Sequence, residues 1–372
     1  MSRDESPWRR LPALAGVCCG AVGLALAASG CSTGSTNDDR APGFWGVVPQ
    51  ERTTLGQLRT LKRGGVDSVR IGIDWRLVMP TRGGPRKWSD IDEIVGNASR
   101  AGLSVLPYAY RTPAWLAKDE NALPVETAEQ RRGWIGFLRE LVDRYGEGGD
   151  YWSSHPEVPE QPIRTWQIWN EPNFYYFASD PDPDRYARLV EISHRALAAA
   201  DPGSHLILGG MFALPGERPP QAYPAYRFLA MMFERHPNLI PIVDGVAIHP
   251  YTRDFKYLTP ILDQIRRALR RAGDPGVKLW ITELGWGSQA GQEASQLEKG
   301  LGGQARQLRG AFRLLHRDRK RWRLQQVFWF TVADSEDEAV CNFCDSAGLF
   351  TSRFQPKPSW LAFERLAFEQ PR

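Results

Sequence analysis

The chain is poor in cysteine, histidine and methionine, with 5, 6 and 5 residues among 372. Cys18, Cys19 and Cys31 all fall in the first 31 positions, which leaves only Cys341 and Cys344 downstream. One late pair excludes a disulfide-framework protein. It also falls short of the four ligands of a structural zinc site. The C-x-x-C spacing lacks the βαβ setting of a redox motif, so a short structural disulfide closing a loop is expected between Cys341 and Cys344. Charge of one sign is scarce as well. The formal net charge is +4, and no basic stripe accompanies a recognition motif, so nothing points to nucleic acid. The Arg- and Lys-rich run from His316 to Arg323 reads as the solvated end of a helix. No glycine-rich loop follows the first apolar run, which argues against a dinucleotide-binding sheet. No internal repeat is visible.

Long hydrophobic runs are also lacking, apart from Leu11–Ala28 behind Arg9 and Arg10. That run ends at Ala28-Ser29-Gly30-Cys31, so residues 1–30 read as an export signal. The four residues resemble a bacterial lipobox, in which the cysteine after the cut carries lipid. A plain transmembrane anchor is the alternative, since the run approaches the minimum spanning length. Residues 31–41 are rich in Ser, Thr, Asn, Asp and Gly and form a flexible tether. The expected location is the bacterial cell envelope, outside the cytoplasm, with the membrane reached by a lipid anchor on Cys31 alone.

What remains is an ordinary globular balance, 42% hydrophobic and 24% charged, with 14 Trp and 28 Pro. From Phe44 onward short apolar runs alternate with amphipathic segments. Strands are expected at 44–49, 68–74, 103–108, 165–170, 205–210, 243–249, 277–283 and 326–332. Helices are expected at 55–63, 91–101, 128–145, 185–200, 226–235, 258–272, 304–317 and 360–367. Continuous apolar strands separated by helices imply a parallel sheet covered on both faces. Eight such units give an α/β fold of the (β/α)8, or TIM-barrel, type, a single domain over residues 42–372. An open doubly wound sheet is the alternative.

Two segments then stand out: Trp169-Asn170-Glu171-Pro172 and Ile281-Thr282-Glu283-Leu284-Gly285-Trp286. Each ends an apolar run with one glutamate, on the fourth and seventh strands. Both glutamates therefore project onto the face where barrel active sites are built. Cleaving a glycosidic bond needs one carboxyl to protonate the leaving oxygen and one to meet the developing oxocarbenium ion. The two must differ in environment so that one is neutral and the other ionised.

These segments resemble the clan-A retaining glycoside hydrolases, closest in flavour to family 39 or family 5. Val69-Arg70-Ile71, Thr112-Pro113-Ala114-Trp115, Ile248-His249-Pro250-Tyr251 and the closing Gly348-Leu349-Phe350 with Pro356-Lys357-Pro358-Ser359-Trp360 extend the resemblance over residues 44–368. It implies a retaining O-glycoside hydrolase with Glu171 as acid/base and Glu283 as nucleophile, their carboxyls about 5–5.5 Å apart. Arg70 would keep Glu283 ionised, Tyr251 would hydrogen-bond it, His249 would line the site and Asn170 would meet the sugar 2-hydroxyl. Trp329 would floor the site, unless Phe330 faces inward instead.

Read without the family, Arg70 could be a plain salt bridge at the barrel end, and His249 a structural histidine. Trp115, Trp169 and Trp286 could each be packing or sugar contacts, and Tyr108, Tyr110 and Arg111 flank the expected site. The acidic cluster from Asp334 to Glu338 fits no cation motif and reads as a solvated loop. No metal and no cofactor is expected. The partner is an oligo- or polysaccharide, and the protein is expected to act as a monomer. A lipid-anchored, non-catalytic carbohydrate-binding protein is the competing function, and transglycosylation could use the same two glutamates.

Overall fold

The computed structural model describes residues 43–291, 295–336 and 341–369. The signal segment, Cys31, the tether, and the part of the acidic cluster beyond Glu336 lie outside them. Eight strands run in parallel: β1 (Trp45–Val48), β2 (Ser68–Asp74), β3 (Ser104–Tyr110), β4 (Thr165–Asn170), β5 (His205–Phe212), β6 (Gly245–His249), β7 (Lys278–Leu284) and β8 (Leu324–Phe330). Each pairs with the next, and β8 returns to β1 through Trp45–Val327 and Val47–Trp329, so the barrel is closed. The crossing helices are α1 (Leu55–Arg63), α2 (Ser89–Ala101), α3 (Ala128–Tyr145), α4 (Pro183–Ala200), α5 (Ala225–Arg235), α6 (Leu258–Arg271), α7 (Gly300–Arg317) and α8 (Pro358–Phe368). No helix among the described residues is long and apolar enough to cross a membrane.

Local chemistry sets the helix starts. Thr54 and Thr127 each close a capping box with a glutamine three residues on, Gln57 and Gln130. Asp182 caps α4 through the backbone N–H groups of Asp184 and Arg185, with Pro183 at the first helical position. The expected and observed bounds coincide for α1, β2, α3 and β4. The largest shift is in α7, which begins at Gly300 rather than Gln304. The three glycines of its first turn read as loop by propensity, and a Cβ on buried Gly303 would stand only 2.8 Å from Lys299 Cβ.

The core has two parts. A shell between strands and helices holds the tryptophans Trp75, Trp134, Trp166 and Trp322, all fully buried. A smaller cluster contains the barrel-strand residues Val48, Leu106, Ile207, Ala247, Trp280 and Phe328. In a closed barrel wrapped by helices both strand faces are buried, so β4 and β6 are buried at nearly every position.

Candidate active site

Glu171 and Glu283 emerge where their strands stop being regular. On β4, Trp166 and Ile168 pack toward the helices, while Gln167 faces Arg70. Strict alternation would turn Trp169 inward. Instead Trp169 takes a positive φ of 69° and packs on Trp134 of α3, with its indole N–H on the Phe177 carbonyl. Glu171 follows at φ 39°. Left-handed backbone at non-glycine residues costs on the order of 1–3 kcal/mol, held in place by surrounding packing. The result is that Asn170 and Glu171, neighbours in sequence, both join the polar cluster. On β7 the register against β8 shifts between Ile281 and Leu284, a local irregularity at Glu283.

Arg70 on β2 organises the centre. It is fully buried, and its three nitrogens donate to three residues on two strands, β4 and β7: Nε to Gln167 Oε1 (2.9 Å), Nη1 to Glu283 Oε1 (2.6 Å) and Nη2 to Asn170 Oδ1 (2.7 Å). Its guanidinium lies 3.9 Å from the centre of the Tyr108 ring. Asn170 is thereby fixed with its side-chain carbonyl on Arg70. Tyr251, from the loop after β6, donates its hydroxyl to Glu283 Oε2 at 2.7 Å.

Glu171 has different company. Its Oε1 lies 2.7 Å from His249 Nδ1, and His249 Nε2 lies 3.0 Å from Thr282 Oγ1. Burial, helped by Arg70, holds the imidazole well below its ordinary pKa, so it is neutral. Burial and the nearby charge of Glu283 push the Glu171 carboxyl well above its ordinary value, against the smaller opposing pull of Arg70. A neutral imidazole has one donor and one acceptor. When Glu171 is ionised, Nδ1–H donates to it and the Thr282 hydroxyl donates to Nε2. When Glu171 is protonated, both bonds reverse. Gly210 on β5 makes room for this chain, because a Cβ there would collide with the His249 ring and stand 2.6 Å from Thr282 Oγ1.

One ligand atom each from Glu171, His249 and Glu283 lie within 4.8 Å of one another, a spacing that could suit a metal ion. The Arg70 guanidinium on Glu283 opposes that use, because it already sets a fixed positive charge against that carboxylate and would repel a second cation beside it.

The structure thus brings together Arg70, Tyr108, Asn170, Glu171, His249, Tyr251 and Glu283, with Tyr110 packed on Tyr108 at 4.9 Å. Arg111 lies at the rim, paired with Asp74 at 3.2 Å and Glu120 at 3.4 Å. Two tryptophans are corrected. Trp329 is fully buried against Trp286 and Phe312 of α7, with its N–H on the Ala347 carbonyl, so it belongs to the outer shell and floors nothing. Phe330 takes the inward place and packs edge-on to Tyr251 at 6.3 Å. Trp286 is fully buried and donates to the Thr252 carbonyl. Trp115 is half-buried, donates to the Met79 carbonyl, packs on Trp75 and has the Arg82 guanidinium 5.8 Å from its ring centre.

Cys341 and Cys344 are bonded, with Cα atoms 5.3 Å apart. Their loop carries Phe343, which packs on Tyr251 at 5.3 Å. Asp334 is not a solvated acid, since it accepts from Lys357 Nζ at 2.8 Å and ties the closing segment to the loop after β8. Gln167, Thr282 and Phe343 were missed as site residues. The signal for Gln167 was a polar residue inside an apolar strand, and for Thr282 its place beside Glu283. Nothing in the sequence marked Phe343.

The same barrel occurs in known enzymes. It shares its fold with family 39 and family 5 glycoside hydrolases. A family 39 glycoside hydrolase from Bacteroides cellulosilyticus WH2 superposes with a TM-score of 0.63 at 23% identity, over 89% of this chain and 64% of that one. A family 39 β-xylosidase from Caulobacter crescentus gives 0.62 at 19% identity, over 90% and 72%. A family 5 enzyme from Bifidobacterium longum gives 0.62 at 15%, over 87% and 77%. In sequence, a β-xylosidase from Geobacillus stearothermophilus is 33% identical over 169 residues, which is 40% of this chain. The match spans only 29% of that β-xylosidase's length. No family model matches the chain.

Proposed function

We propose that this protein is a retaining O-glycoside hydrolase. The observation that carries the reading is one pair of buried glutamates at the ends of β4 and β7, on one face of the barrel, an oxygen of each within 4.8 Å, in unlike surroundings. Glu283 accepts from Arg70 and Tyr251 and is the group to remain ionised and attack the anomeric carbon. Glu171 keeps its proton and delivers it to the leaving oxygen. A glycosyl ester forms on Glu283 as the leaving group departs. Glu171, now ionised and bonded by His249 Nδ1–H, takes a proton from water, which attacks the ester and frees Glu283. The short spacing suits direct attack, whereas inverting enzymes leave about 6.5–9.5 Å for a water between the carboxyls.

The β-xylosidase relatives make β-xylosides the first substrates to try, beside β-glucosides and β-mannosides. Glu171 and Glu283 together favour catalysis over a binding-only barrel, since a sugar-binding site has no need of a guanidinium aimed at one carboxylate. The test is the anomeric configuration of the first-formed product by NMR. Retention is expected, and inversion would overturn the assignment of Glu283 as nucleophile. The run 11–28 and Ala28-Ser29-Gly30-Cys31 support a place outside the cytoplasm on a lipid tether. Cys31→Ala should then shift the enzyme from the membrane fraction to the soluble fraction, and no shift would count against the tether.

A further inference from the structure

Past Glu171 the chain runs Pro172-Asn173-Phe174-Tyr175-Tyr176-Phe177, and two of its rings face water: Tyr175 is 45% exposed and Tyr176 42%. Scattered exposed apolar residues are ordinary. These two differ because the backbone beneath them is braced. Phe174 N–H donates to the Glu171 carbonyl (3.0 Å), Tyr175 N–H to Gln221 (2.9 Å) and Tyr223 N–H to Asn173 (3.0 Å). The buried Asn173 amide donates to the Phe212 and Tyr223 carbonyls at 2.8 and 2.7 Å, stitching the loops after β4 and β5 together. The rings also form a path from the centre outward. Tyr251, bonded to Glu283, meets Phe212 at 6.1 Å, Phe212 meets Phe174 at 5.4 Å, and Phe174 meets Tyr175 at 4.9 Å and Tyr176 at 6.4 Å.

We propose that Tyr175 and Tyr176 form a leaving-group subsite that binds a sugar unit of the substrate, the unit released when Glu171 gives up its proton. The inference rests on the glycosidase reading and narrows it. The proton donor touches the leaving oxygen, so the atoms beyond that oxygen extend over the loop that Glu171 opens. A pyranose has an apolar C–H face that suits an aromatic ring, and its hydroxyls can bond the phenol groups. Pre-positioned rings lose little entropy on binding. The substrate class is therefore an oligo- or polysaccharide with a sugar as leaving group, rather than a glycoside of a small alcohol.

The test compares wild type with a Tyr175→Ala/Tyr176→Ala double variant. The substrates are xylo-, gluco- and manno-tetraoses and the matching nitrophenyl glycosides. The ratio of kcat/KM for tetraose over nitrophenyl glycoside should fall about 10- to 100-fold, and the Tyr→Phe pair should restore most of it. An unchanged ratio, including an equal fall on both substrates, overturns the subsite. Tetraose binding by calorimetry to the Glu283→Gln protein, with and without the two rings, separates the two readings. If wild type cleaves nothing but binding still weakens about tenfold without the rings, the glycosidase reading fails, and with it the leaving-group role, while the two rings remain a sugar-binding surface. If binding is indifferent to the rings, the subsite fails.

Discussion

The ends of β4 and β7 present the same side chain to the same small space, and their surroundings treat it in opposite ways. At β7, Glu283 accepts from a guanidinium and a phenol, both donors. At β4, Glu171 meets a neutral imidazole that can donate or accept, and burial with the Glu283 charge favours the protonated form. The cation that could have served both is spent on one. Arg70 is held by Gln167, Asn170 and Tyr108 so that its Nη1 points at Glu283. On the proposed mechanism, the two roles follow from the unlike surroundings of the carboxylates, one buried beside a neutral imidazole and one held by a guanidinium.

The sharpest way to break this contrast is to remove each carboxylate. Glu283→Gln should reduce kcat by about 10⁴-fold or more on every substrate, because no nucleophile remains. Glu171→Gln should cost about 10²–10⁴-fold where the leaving group needs a proton, and far less for a dinitrophenyl glycoside, which leaves unaided. Equal losses on both leaving groups would contradict the proton-donor role.

Next in size is the cation. Arg70→Met should destabilise the fold by about 3–5 kcal/mol, measured by denaturant unfolding, because it strands Glu283 in a buried site. It should also lower kcat, because Glu283 loses the donor on its Oε1.

The pH dependence of stability is a smaller effect with a definite sign. Folded Glu171 retains a proton that the unfolded chain releases near the ordinary value of 4.5. Its contribution is therefore complete below that pH and is lost as pH rises toward the folded value. Over that window the wild type should lose stability with rising pH, and Glu171→Gln should flatten the slope. A steeper slope in the variant would refute the raised pKa.

The smallest effect belongs to the Cys341–Cys344 bond. It closes a loop with a sequence separation of only 3, so reduction should cost about 1–2 kcal/mol at most. Because that loop holds Phe343 against Tyr251, a modest fall in kcat should accompany reduction. If activity is untouched, Phe343 does not support the Tyr251–Glu283 contact.

Much of this arrangement was readable from sequence. Eight alternations of continuous apolar runs and amphipathic helical segments were enough for the barrel, and glutamates ending the fourth and seventh strands were enough to put them on one face. The errors cluster on β8 and at the tryptophans, and they share a cause. A strand buried on both faces has no polar side to reveal which residues point inward. Trp329 and Phe330 are equally apolar, and only the pairing of β8 with β1 and β7 decides between them. The same holds for Phe343, whose place at Tyr251 depends on a loop folding back across the barrel mouth.

By itself, then, the sequence determined the fold class, the two strand-end glutamates and their face, because hydrophobic period and chain order are local properties. Which carboxylate receives the cation, how His249 reaches Glu171, and which aromatic rings line the mouth were decided by tertiary structure alone. Those contacts join residues 78 to 213 positions apart. They depend on strand register, on the left-handed backbone at Trp169 and Glu171, and on the empty space above Gly210, none of which is written in any short stretch of the chain.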